Sequence, residues 1–254
     1  MLKFKTVNYI SAAILLVFIF MKIPTVYWFM LLILWIVITV IGSFHIKWNY
    51  HVESLNYNNY TKDNYVAITF DDGPNEEFTP LVLRLLKKYN VKATFFCVGE
   101  RVKQHPKVLK MIVDEGHVVG NHTYTHHEKF GFFKTEQVTS ELRQTNAIIQ
   151  EVTGNEVKLF RPPFGVTNPR IKKAITKVGL QSIGWSIRSL DTTSKPTDSI
   201  VKSIQKTLKN GDVVLLHDTS NKSIEVLEQL LVFMNEKQLE SVSIPTLFNI
   251  EAYA

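Results

Sequence analysis

Tyr65-Val66-Ala67-Ile68-Thr69-Phe70-Asp71-Asp72-Gly73-Pro74 is the stretch on which the reading of this 254-residue chain turns. Its apolar and β-branched run predicts a strand, and Gly-Pro predicts a turn directly after it. Two adjacent carboxylates at that boundary stand at the rim of a sheet, where the turn frees them from packing. Asp, Gly and Pro also dominate ordinary turns, so the meaning of the pair depends on the rest of the chain.

From Tyr65 onward strand-like and helix-like segments alternate. Strands are expected at 65–70, 92–98, 117–120, 157–161, 181–187, 212–217 and 241–244, and helices at 78–89, 105–115, 135–153, 168–178, 197–209 and 223–238. Asn90, Gly116, Gly154, Gly179 and Gly211 suit left-handed helix ends, and Pro80, Pro106 and Pro169 stand near helix starts. This alternation predicts an α/β fold, a distorted (β/α) TIM-like barrel. An open doubly wound sheet is the alternative. No Gly-x-Gly-x-x-Gly follows a strand to support a dinucleotide fold.

Upstream, residues 1–50 hold four lysines, no arginine and no acid, so they carry +4 of the net charge of +6. The basic balance is therefore a flanking-lysine effect, and no basic stripe interleaved with aromatics points to nucleic acid. Val7–Met21 is largely apolar. After Lys22-Ile23-Pro24-Thr25, the uncharged run Val26–Phe44 is long enough to cross a bilayer, with Tyr27, Trp28 and Trp48 at its edges. These features predict a transmembrane helical hairpin over 1–47, an Asn/Tyr-rich linker over 48–63 and a catalytic domain over 64–254. A core hairpin of a soluble protein is the alternative. Lys3 and Lys5 favour a cytoplasmic N-terminus, Lys22 a cytoplasmic connection, and the charges leave orientation open. The single cysteine, Cys97, lies in an apolar run, which predicts an inert buried thiol and excludes an intrachain disulfide.

Reactive residues gather at strand ends. Asp71 and Asp72 follow the first strand, His122 and His126 the third, Arg161 the fourth, Asp191 the fifth, and His217 with Asp218 the sixth. In α/β barrels that rim carries the chemistry. His122 and His126, four apart, would point the same way from one helical turn. With one carboxylate from another strand they form a two-His, one-Asp set that leaves positions open, the pattern of a catalytic divalent-metal site. Imidazoles favour Zn2+, while Co2+, Ni2+ and Fe2+ also accept them. One acid of the pair would then bind the ion and its neighbour take a proton from the attacking water. His217 would supply a proton to the leaving group. No Gly-x-Ser-x-Gly elbow is present, which disfavours a covalent acyl-enzyme. His105, His117 and His127 are expected to be scaffold or surface residues.

Thr-Phe-Asp-Asp-Gly (69–73), His-Thr-x-x-His (122–126), Arg-Pro-Pro-Phe-Gly (161–165) and Leu-Leu-His (215–217), in that order, resemble the polysaccharide deacetylases, carbohydrate esterase family 4 or NodB-homology domain. The resemblance covers about residues 64–250. It implies that Asp71 is the general base, that Asp72, His122 and His126 are the metal ligands, and that His217 is the general acid. Arg161 would tune Asp71, and Asp191 would tune His217. Pro163, Phe164 and Leu215 would line the substrate groove, with the Phe164 amide stabilising the oxyanion. The implied reaction removes acetyl groups from N-acetylated amino sugars of a glycan, on the outer face of the membrane. A small non-sugar amide substrate and an inactive glycan-binding homologue are the alternatives. No protein partner is inferable. One motif departs: the family's Asp-x-x-Asp-Trp is here Arg188-Ser189-Leu190-Asp191-Thr192, with Trp185 nearby as the aromatic that would compensate.

Overall fold

The computed structural model describes residues 3–61 and 63–254. Met1, Leu2 and Lys62, which fall within the expected anchor and linker, lie outside them. The strands are β1 Ser54–Leu55, β2 Tyr65–Asp71, β3 Ala93–Cys97, β4 Val118–Asn121, β5 Leu159–Phe160, β6 Gln181–Ile183, β7 Ile187–Arg188, β8 Val213–His217 and β9 Glu240–Ser241. The helices are α1 Phe4–Phe20, α2 Thr25–Phe44, α3 Thr79–Lys88, α4 Gly99–Gln104, α5 Pro106–Asp114, α6 Thr135–Thr153, α7 Pro169–Val178, α8 Thr197–Thr207, α9 Asn221–Glu236 and α10 Ile244–Phe248.

The strands pair in parallel in the order β1-β6-β5-β4-β3-β2-β8-β7, with β9 beside the start of β2. The expected barrel is corrected to a curled half-barrel, because no ladder joins the edge strands β1 and β7. The curl is nonetheless tight. Only Gly184-Trp185-Ser186 separate β6, near one edge, from β7 at the other. The strand expected over 181–187 breaks there: Gly184 N–H donates to Leu55 O at 2.9 Å and Ser186 N–H to Val213 O at 3.0 Å. One short segment thus serves both ends of the sheet.

Strand periodicity decides which residues face the site. In β2, Val66, Ile68 and Phe70 pack outward against α3, α8 and α9, and Phe70 stacks on Phe95 at 4.9 Å. Ala67 faces the concave side, and Asp71 follows in the same alternation. In β8, Val214 and Leu216 pack outward and Leu215 inward, so His217 shares the inner face. Both sheet faces are covered, which is why β2 and β8 read as near-continuous apolar runs.

Within the stretch 48–63, expected as a linker, residues 50–55 pack on the domain. Ser54–Leu55 pair with Ser182–Ile183, Ser54 Oγ lies 2.8 Å from Ser182 Oγ, and Tyr50, His51 and Val52 are buried. A two-residue edge strand is too short to show a period, so its polar neighbours masked it. Among the described residues α2 alone is long and apolar enough to cross a membrane, and the seventeen-residue α1 is shorter. The two helices touch through Trp35 Nε1, which donates to Asn8 Oδ1 at 2.8 Å, and through Phe18 and Trp28. The end of α2 is fixed to the domain. A Cβ on Gly42 would overlap the Tyr50 ring, Ser43 Oγ lies 3.0 Å from His51 Nε2, and Thr167 N–H donates to Ser43 O at 2.9 Å.

Candidate active site

Asp71 and Asp72, adjacent in sequence, diverge because Asp72 turns into the left-handed region (φ 73°) where β2 ends. Asp71 stays extended and buried beside Arg161, whose Nη1 donates to Asp71 Oδ1 and to Thr69 Oγ1, each at 2.7 Å. The Arg161 guanidinium is wholly buried. Nη2 donates to Gly184 O at 2.8 Å, and the group lies 4.1 Å over the Phe96 ring. Burial pulls this guanidinium below its ordinary range, and the Asp71 carboxylate opposes that pull.

Asp72 faces the two imidazoles. His126 Nε2 lies 3.2 Å and His122 Nε2 3.5 Å from Asp72 Oδ1, and one donor atom from each residue falls within 4.8 Å of the others. His122 Nδ1 donates to Arg161 O at 2.8 Å, which turns Nε2 toward the cluster. Burial, helped by His122, takes His126 down to about 4, so its ring is neutral at physiological pH. Burial pushes Asp72 upward, but the hydrogen bond and charge of His122, with His126 and His217, hold it well below the usual carboxylate range. Two imidazoles and a carboxylate converging on one point fit a divalent cation of the zinc type.

The expected helical turn at His122–His126 is corrected. The segment is a loop in which Thr123 (φ 66°) and His126 (φ 49°) are left-handed. For a β-branched residue that conformation is a steric outlier, the kind of strain that persists only where surrounding contacts over-determine it. Here Asn121 Oδ1 accepts from Thr123 N–H at 2.8 Å, and Glu141 Oε2 accepts from Tyr124 N–H at 2.9 Å and Thr125 N–H at 2.8 Å. Arg101 Nη1 donates to the Asp72 carbonyl. Arg101 and Glu141 escaped sequence reasoning, since each acts through contacts distant along the chain.

On the opposite wall His217 stands beside Asp71, the two being register partners of β8 and β2. Its Nδ1 donates to Asp191 Oδ1 at 2.8 Å, which turns Nε2 toward the concave face. Asp191 also accepts from Ser189 Oγ and Ser223 Oγ, each at 2.7 Å, and from His217 N–H at 2.9 Å. Burial would raise Asp191, yet these donors, His217 first, take it below its ordinary value. Burial pulls His217 down, and Asp191, with Asp71 and Asp72, more than offsets it, so His217 titrates above its ordinary 6.5. Ser223 is a further partner that only the fold reveals. Asp218, next to His217, is wholly buried, accepts from Thr79 Oγ1, and is pushed up to about 6 by burial.

Pro163 and Leu215 are buried, and Phe164 is 47% exposed with its ring edge-on to His126 at 4.9 Å. Trp185 is buried behind the loop, against Gly165 and Arg161, rather than on the open face.

The sequence profile of the family described as polysaccharide deacetylase matches residues 58–183. A Bacillus cereus peptidoglycan-N-acetylglucosamine deacetylase is 34% identical over 187 residues, 72% of this chain and 68% of the relative. The chain belongs to the polysaccharide deacetylase family. A chitooligosaccharide deacetylase of Sinorhizobium fredii is 33% identical over 153 residues, 60% of this chain and 71% of its own. A crystal structure of a peptidoglycan N-acetylglucosamine deacetylase in complex with 4-naphthalen-1-yl-N-oxidanyl-benzamide superposes with a TM-score of 0.74 at 31% identity. It covers 78% of this chain and 94% of that one. As a polysaccharide deacetylase the chain is a hydrolase.

Proposed function

We propose that this polysaccharide deacetylase is a membrane-anchored, divalent-metal-dependent enzyme that removes N-acetyl groups from amino sugars of an envelope glycan. The observation that carries the reading is the convergence of Asp72, His122 and His126 beside Asp71, with the His217–Asp191 pair on the adjoining strand end. Asp72, His122 and His126 would hold the ion, most naturally Zn2+. When bound, such an ion supplies Lewis acidity to the amide carbonyl and acidifies water toward neutral.

The protein's own groups then divide the proton work. Asp71, oriented by the Arg161 guanidinium, accepts a proton from the water whose oxygen attacks the acetyl carbon. The Phe164 backbone amide, on the strained loop at φ 59°, donates to the developing oxyanion. His217 Nε2 gives a proton to the sugar nitrogen as the C–N bond breaks, releasing acetate and a free amine. Asp191 keeps His217 protonated and oriented so that Nε2 faces the substrate. Pro163 and Leu215 shape the acetyl side of the pocket, and Trp185 stiffens the loop from behind.

The N-terminal helices are the anchor. About 30 Å of α2, at 1.5 Å per residue, matches a hydrocarbon core, α1 returns beside it, and the catalytic domain lies on the outer face. Acetate release from an N-acetylglucosamine oligomer by the full-length protein, measured before and after chelation, tests the reading. Turnover that survives complete metal removal would reject metal dependence, and undiminished turnover by Asp71→Asn would reject Asp71 as base.

A further inference from the structure

The end of α2 does more than tether the domain. Between its last turns and the rim of the active site lies a cavity of about 820 Å³, lined by Val40, Ser43, Phe44, Phe132, Phe164 and Arg170 among others. That volume falls in the range of ligand pockets. Phe164 joins it to the chemistry, since its ring lines the cavity and also lies edge-on to His126 at 4.9 Å. Phe132, 78% exposed, stands at the same rim. Phe44, Val40, Val37, Ile36, Ile33 and Leu32 are exposed along α2, so the apolar surface runs without a charge from the cavity up the helix.

We propose that the amino sugar reaches the site attached to a lipid. The cavity would hold the first part of a lipid chain that enters along α2, while the sugar, linked through a phosphate, extends past Phe164 to the metal-ligand cluster. This inference rests on the deacetylase and membrane-anchor readings above. Three observations select this occupant. The cavity is continuous with the helix that would lie in the bilayer, so a chain passes from hydrocarbon to protein without crossing water. Arg170 supplies a cation at the lip: its Nη1 donates to Phe132 O at 3.1 Å, and among the described residues no carboxylate pairs with it. A guanidinium so placed suits a phosphate. Glu128, two residues beyond His126 in sequence, is the acid among the lining residues. Finally, the bond from Thr167 N–H to Ser43 O seats α2 directly on this rim, where a polymer strand crossing it would meet the helix.

The test uses the full-length protein in mixed micelles with three probes. They are N-acetylglucosaminyl phosphate esterified to a long polyprenol, the same phosphate esterified to a short prenol, and a water-soluble N-acetylglucosamine oligomer. The long-chain ester is expected to exceed the short-chain ester in kcat/KM by at least about tenfold. Phe132→Ser is expected to collapse that ratio toward one while the protein keeps its far-UV circular dichroism and metal content. Equal turnover of the two esters, or turnover of the soluble oligomer alone, overturns the lipid proposal and leaves the deacetylase reading standing. No acetate from any of the three overturns both.

Discussion

Arg161 Nη1 and Asp71 Oδ1 meet at 2.7 Å with both side chains out of water, the guanidinium held on the sheet's inner face between the Phe96 ring and the carbonyl of Gly184. A buried ion pair is costly to break by halves, because the surviving charge keeps its desolvation penalty and loses its partner.

Arg161→Met is therefore expected to cost roughly 3–5 kcal/mol in stability and to reduce turnover sharply in whatever fraction stays folded. Urea denaturation followed by acetate-release kinetics on the folded fraction measures both. Retention of wild-type stability would show that Asp71 does not depend on this partner.

The two neighbouring acids are expected to fail differently. Asp72→Ala should abolish stoichiometric metal in the purified protein. Asp71→Asn should keep the metal and lower kcat by about 10²–10⁴-fold, the range of general acid–base catalysis. Metal analysis of both variants, beside their kinetics, separates the roles. Equal metal loss in the two would contradict the division of labour.

His217 is expected to set the alkaline limb of activity. Because Asp191 outweighs burial and raises His217, the acid form persists above the ordinary 6.5. Asp191→Asn should shift the fall in kcat/KM to lower pH. The same raised value means that the pair's contribution to stability is fully present below about 6.5 and is lost as pH rises through the folded-state value. Asp191 itself, titrating below its ordinary 3.8, stabilises above that pH and loses its contribution as pH falls through its lowered value. A pH–rate profile whose alkaline limb is identical in the variant would refute the coupling.

Gly165 sits at φ 72° with the Trp185 ring where a side chain would go, since a Cβ there would lie 2.6 Å from the ring. Gly165→Ala is expected to lose about 1–3 kcal/mol, the usual cost of overpacking, and to raise KM by displacing Phe164 next to it. Thermal denaturation and Michaelis kinetics check the two effects. An unchanged melting temperature would mean that the loop and Trp185 are not in contact.

Local chemistry made much of this protein legible before any fold was known. The β-branched run of β2 with its Asp-Asp-Gly-Pro end, the alternation of strands with capped helices, and the uncharged run of α2 depend on neighbours in sequence, so residue order alone exposes them. The His122/His126 spacing marked two rings that do lie together, at 4.9 Å between centroids, but through another geometry. A four-residue separation suggests a helical turn, whereas the two rings are brought together by a loop held open by Asn121 and Glu141.

What sequence order could not decide is everything that depends on a distant partner. Whether the sheet closes is settled by where Gly184 and Ser186 find acceptors, on Leu55 and Val213, and those acceptors lie far away in the chain. Asp71 and Asp72 become unequal only because Arg161 arrives from β5 on one side and two imidazoles from the β4 loop on the other. Residues 48–63 read as a linker because a short edge strand draws its order from β6 and not from its own pattern. The sequence alone therefore determined the longer elements and the reactive side chains at strand ends. Tertiary structure decided the partner of each carboxylate, because charge and hydrogen bonding act through space and not along the chain.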